Sequence, residues 1–152
     1  MLDFNTYQEL LTLTYKWTEA YDFKDWTLLR SILGDELLID YSNILPGEPK
    51  KMTGEEFVAE ISGPNLLGNE NVKTQHLLGH HKFETLDDKM YGYYQSSVFH
   101  GKMEGNVCIK EAVGRGIVKH TYAKIGDEWK IVGIKVEKVI CMIGDLKDIF
   151  EG

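Results

Sequence analysis

Positive charge is in short supply in this chain: 17 lysines and arginines stand against 24 aspartates and glutamates, for a formal net charge of −7. Such a surface lacks the basic face that neutralises phosphates, which argues against a nucleic-acid partner and against docking on an anionic membrane. Cysteine is scarce too. Cys108 and Cys141 form no CxxC pair, a pattern of reduced cytosolic thiols rather than of a disulfide framework. No apolar run is long enough to span a bilayer. The opening MLDFNTYQELL has an early Asp and no basic stretch, so no signal peptide is expected. GxSxG, P-loop, GxGxxG and HExxH motifs are all missing. The expectation is a soluble cytoplasmic protein.

What remains is an ordinary globular composition, 43% hydrophobic and 27% charged over 152 residues, enough for one domain spanning residues 1–152. Asn5 and Gln8 resemble a capping box, and Leu10, Leu11, Tyr15, Trp17, Ala20 and Tyr21 recur at helical spacing, which predicts a helix from about 5 to 21. A short helix through Trp26, Leu29 and Ile32 follows, with Gly34 as its stop. ELLIDYSNI reads as a strand, and Thr53-Gly54-Glu55-Glu56 as a capping box opening a helix through Ile61. Beyond Asn71 come β-rich runs at 72–86, 89–100, 104–112, 115–125 and 128–138, divided by turn signals at Asp87-Asp88-Lys89, Gly101 and Gly126-Asp127. Helices first and strands afterwards predict an α+β fold, a cone-shaped curved antiparallel sheet wrapped around the N-terminal helices. The mouth of such a cone suits a small-molecule substrate. Residues 143–150 could form a short amphipathic helix closing it.

TQHLLGHHKF holds His76, His80 and His81 among the five histidines. Helical spacing would make His76 and His80 a metal pair, but Gly79, Val72, Thr74 and Phe83 favour a strand and no carboxylates cluster nearby, so no metal is expected. His80 and His81 read as surface residues at a bend. His76 stands mid-strand, a place for either a hydrogen-bonded core histidine or a working one. A hairpin around residues 87–88 would bring His100 near it, giving two imidazoles suited to acid–base work near neutral pH. Tyr21 and Tyr41 could form a donor pair that polarises a carbonyl. Asp22 could raise the pKa of a histidine and fix its tautomer. Packing of Tyr21 in the core, with Asp22 capping the next helix, accounts for the same residues.

The segments TYKWTEAYDFKDW, LLIDY, VKTQHLLG, SVFHG, TYAKIGDEWKIVGIK and DLKDIFEG resemble the fungal scytalone dehydratases, which have the nuclear transport factor 2-like (SnoaL-like) fold. The likeness runs from about residue 7 to 151. It implies a cofactor-free enzyme, a homo-oligomer (trimer or dimer), that eliminates water from a polyketide-derived carbonyl compound in fungal secondary metabolism. By the same resemblance Tyr21 and Tyr41 polarise the carbonyl, His76 and His100 move protons, and Asp22 orients His100. The family's serine and asparagine on a later strand are replaced by Gly116 and Val118, with His120 on the same face by strand parity. That substitution implies a more apolar substrate-binding wall and a different substrate. It also leaves room for an isomerase or cyclase, possibly a pericyclase, on the same scaffold. A non-catalytic binding module is the remaining alternative.

Overall fold

The computed structural model describes residues 1–151. Helix α1 spans Phe4–Phe23 and buries Leu10, Thr14, Trp17, Ala20 and Tyr21 along one face. Its cap is Asp3, which accepts the Thr6 amide at 3.0 Å; Asn5, the expected cap, lies inside the first turn. Helix α2, Trp26–Ile32, is capped by Asp25 through the Leu28 amide at 2.9 Å. That leaves Asp22 free for other work. Strand β1, Leu33–Asp40, follows α2 directly, so Gly34 lies in a strand and is no helix stop. Tyr41 falls one residue beyond β1. A short strand β2, Lys50–Thr53, which periodicity does not reveal in four residues, leads into α3, Gly54–Ile61. The capping box holds: Thr53 accepts the Glu56 amide and Glu56 accepts the Thr53 amide.

Strands β3 (Val72–Leu86), β4 (Lys89–Glu104), β5 (Val107–Ile125) and β6 (Glu128–Ile143) form an antiparallel meander. The β3–β4 turn holds Asp87 and Asp88, both at positive φ, the conformation a two-residue hairpin needs. Gly101 makes no turn; the chain reverses after Glu104 at Gly105, φ +59°. The runs expected at 104–112 and 115–125 are therefore one strand. The sheet order is β2-β1-β6-β5-β4-β3, and β1 pairs with β6 in parallel. The sheet is thus mixed, where a purely antiparallel one was expected. Register shifts interrupt the β3–β4, β4–β5 and β5–β6 ladders; such bulges bend strands and increase twist. The curved sheet closes over α1, and α4, Leu146–Phe150, buries Leu146 and Ile149. Among the described residues no helix is long and apolar enough to cross a membrane.

Candidate active site

Alternation along the strands decides which side chains enter the cone. Thr74, His76 and Leu78 of β3 face inward beside His100, Val98 and Ser96 of β4, with Thr74 opposite His100 and His76 opposite Val98. The C-terminal end of α1 supplies Trp17, Tyr21 and Asp22. Together these surround a cavity lined by Tyr21, Tyr41, His76, His100, Gly116 and Val118, among others. Its space for the centres of water-sized spheres is ≈ 100 Å³, several times what one water requires. The cavity is closed partly by Leu146 and Phe150, and Phe150 meets the His100 ring edge-on at 6.0 Å. The C-terminal helix thus reaches the cavity, as residues 143–150 suggested.

Asp22 spends both oxygens on β3. One accepts the His76 amide at 2.9 Å; the other accepts the Thr74 hydroxyl at 2.9 Å and pairs with His76 Nδ1 at 2.7 Å. The sequence reading assigned this carboxylate to His100, and the structure gives it to His76. The reason is topological: α1 packs against β3, whereas His100 lies one strand further in. A carboxylate at Nδ1 holds the proton there and leaves Nε2 as the basic nitrogen. His100 Nδ1 is buried without a hydrogen-bond partner. Burial, reinforced by nearby His76, pushes the His100 pKa down to about 4, so its ring is neutral near pH 7. The two rings stand 6.3 Å apart, centroid to centroid.

Tyr21 and Tyr41 share a hydrogen bond of 2.8 Å. Burial pushes Tyr21 up to about 12, and Tyr41 well above its usual value. Both therefore stay protonated and can act as donors. Tyr21 also meets the His76 ring edge-on at 5.4 Å. The four expected residues that line the cavity, His76, His100, Tyr21 and Tyr41, converge; Asp22 stands behind His76.

His120 does not reach the cavity. Strand parity aims it inward beside Gly116 and Val118, but Trp17 packs over it at 4.6 Å and it is wholly buried. Its Nδ1 bonds Thr14 Oγ1 at 2.8 Å, in a chain that continues to the Tyr122 and Tyr94 hydroxyls. Burial, with His76 adding to it, pushes His120 down to about 3. The bulge between Leu78 and His81 also alters an expectation. It turns His81, rather than His80, toward α1, where it bonds the Tyr7 hydroxyl at 2.8 Å and stacks on Tyr94. Ser96, Ile44 and Leu45 line the cavity without having been singled out in the sequence. Only Ser96 carries a signal there, through its even spacing from His100. Among the described residues no group of three or more His, Cys, Asp or Glu side chains could hold a metal ion.

A cone-shaped α+β fold of the nuclear transport factor 2-like class, with a polar floor in an apolar cavity, defines a small-molecule site. Solved structures share it: Kfla4162 protein from Kribbella flavida superposes with a TM-score of 0.77 at 16% identity, covering 90% of this chain and 91% of that one. A putative scytalone dehydratase from Novosphingobium aromaticivorans gives 0.72 at 10% identity, covering 90% and 85%. The sequence profile described as scytalone dehydratase matches residues 1–152, and the chain belongs to that family. Scytalone dehydratase of Pyricularia oryzae is 34% identical over 139 residues, 88% of this chain and 80% of that protein. Scytalone dehydratase-like protein mdpB of Emericella nidulans is 44% identical over 125 residues, 80% of this chain. The match spans only 58% of the length of mdpB. Membership supports a dehydratase or related activity.

Proposed function

We propose that the protein is a cofactor-free dehydratase acting on a small β-hydroxy carbonyl compound of fungal secondary metabolism, polyketide-derived or similar. The observation that carries this reading is the Asp22–His76 pair at a cavity that also presents two bonded tyrosine hydroxyls. Elimination needs a base for the α-proton, a donor for the developing enolate oxygen and a proton for the departing hydroxyl. The tyrosine pair donates to the carbonyl oxygen, directly or through a water. His76 Nε2 takes the α-proton, and the resulting imidazolium is stabilised by Asp22. As the carbon–oxygen bond breaks, the carbon–carbon double bond forms and the hydroxyl leaves as water with that proton.

His100 is a poor proton reservoir at neutral pH, because its neutral form is favoured down to about pH 4. It serves this scheme as a neutral hydrogen-bonding partner for the departing hydroxyl, so one histidine performs both transfers in a syn elimination. The test is to incubate the protein with β-hydroxy ketones and follow loss of water by mass. Turnover that survives in both His76→Ala and His100→Ala would refute the acid–base scheme.

The apolar lining supports a second reading. Val98, Val118, Val136 and Leu146 dominate the walls, and such a cavity could fold an unsaturated chain for isomerisation or ring closure without expelling water. There the product mass equals the substrate mass.

A further inference from the structure

Ser96 takes no part in the chemistry above, yet the sheet gives it a defined place. It points inward by strand parity, lines the cavity, and makes no hydrogen bond to any described residue. Its neighbours across the sheet are Leu78 on β3 and Gly116 on β5. Leu78 offers no polar atom. Gly116 cannot offer one either, because a Cβ there would lie 1.9 Å from the Lys138 carbonyl oxygen, so the β6 backbone keeps that position bare. A neighbour without a side chain also leaves the Ser96 hydroxyl uncovered. The surrounding wall is apolar, with Val98 and Val118 beside it.

The register also fixes how far this hydroxyl stands from the reacting end. His76 faces Val98 across the β3–β4 ladder, and Ser96 is two residues from Val98 on the same face. Ser96 is therefore a diagonal neighbour of His76, about 7–8 Å away. That separation matches the long dimension of a fused two-ring skeleton. We propose that Ser96 is a specificity-determining residue, whose hydroxyl binds a substrate oxygen one ring removed from the carbon that reacts at His76. The proposal rests on the dehydratase reading only in taking the His76 end as the reacting end. A serine hydroxyl both donates and accepts, so a phenolic hydroxyl or a second carbonyl satisfies it. An analogue lacking that oxygen leaves the serine unpaired in a dry wall, which is the basis of discrimination.

Calorimetric titration of the full protein with 1-tetralone and 6-hydroxy-1-tetralone tests this without requiring turnover. The wild type is expected to bind the hydroxylated ketone roughly three- to tenfold more tightly, the range for one neutral hydrogen bond. Ser96→Ala should erase that difference, and Ser96→Thr, which keeps a hydroxyl, should retain it. Equal weakening of both ligands in Ser96→Ala would make the residue structural and overturn the proposal. So would a preference that survives the alanine, no preference in the wild type, or failure of either ketone to bind. Because only binding is read, failure to dehydrate any β-hydroxy ketone would sink the dehydratase reading while leaving the Ser96 preference intact.

Discussion

Trp17 has a histidine on either side, His76 at 5.0 Å and His120 at 4.6 Å, and the two could hardly be more different. Both come from inward positions of long strands. His76 has a carboxylate behind it and a cavity before it. His120 has a threonine behind it, tyrosines around it and no exposure at all. A carboxylate makes an imidazole basic and stabilises its cation, whereas a hydroxyl in a dry core leaves the cation unsupported. The same residue type thus becomes a base on one side of the tryptophan and a neutral packing group on the other.

The comparison breaks most visibly at Asp22. Asp22→Asn removes the charge that holds the His76 tautomer and cation, and turnover of a β-hydroxy ketone should fall by about 10²–10⁴. His120→Gln should leave kcat within a few-fold. Equal losses in the two variants would erase the distinction.

Stability should respond in the opposite sense. Tyr122→Phe leaves buried hydroxyls of Thr14 and Tyr94 without their shared partner and should cost about 1–3 kcal/mol in urea unfolding, with catalysis nearly unchanged.

Acid sharpens the contrast further. His120 and His100 are pushed down to about 3 and 4 from the ordinary 6.5, so the unfolded chain binds more protons across that window. Stability is then fully present above about pH 6.5 and declines as pH falls toward 3. Chemical denaturation at pH 7 and pH 5 should show this fall, and His120→Gln should flatten it. The smallest effect is expected at exposed His81, where His81→Ala should shift stability by only about 0.5 kcal/mol.

Much of this was legible in the sequence. The capping box at Thr53, the Asp87-Asp88 turn and the inward parity of His76, His100, Gly116 and Val118 all follow from local rules. What escaped was set by distant contacts. The parallel β1–β6 pairing joins segments at opposite ends of the chain, and nothing in either strand's alternation specifies direction. The partner of Asp22 depended on where α1 crosses the sheet, which its own periodicity cannot say. Gly79 signalled an irregularity, but only the ladder shows that the bulge turns His81 inward instead of His80. His120 obeyed its parity and still missed the cavity, because the depth of the pocket is decided by Trp17 from another element.

Asp22 also acts as a rivet. Its three hydrogen bonds fasten the last turn of α1 to the Thr74–His76 segment of β3, so the group that tunes the base is the same group that clamps helix to sheet. A site assembled in this way has no separate loosening step. On heating, loss of activity and loss of the helix–sheet junction should trace one curve, and substitutions that raise the melting temperature by tightening that junction should extend the working range by the same number of degrees.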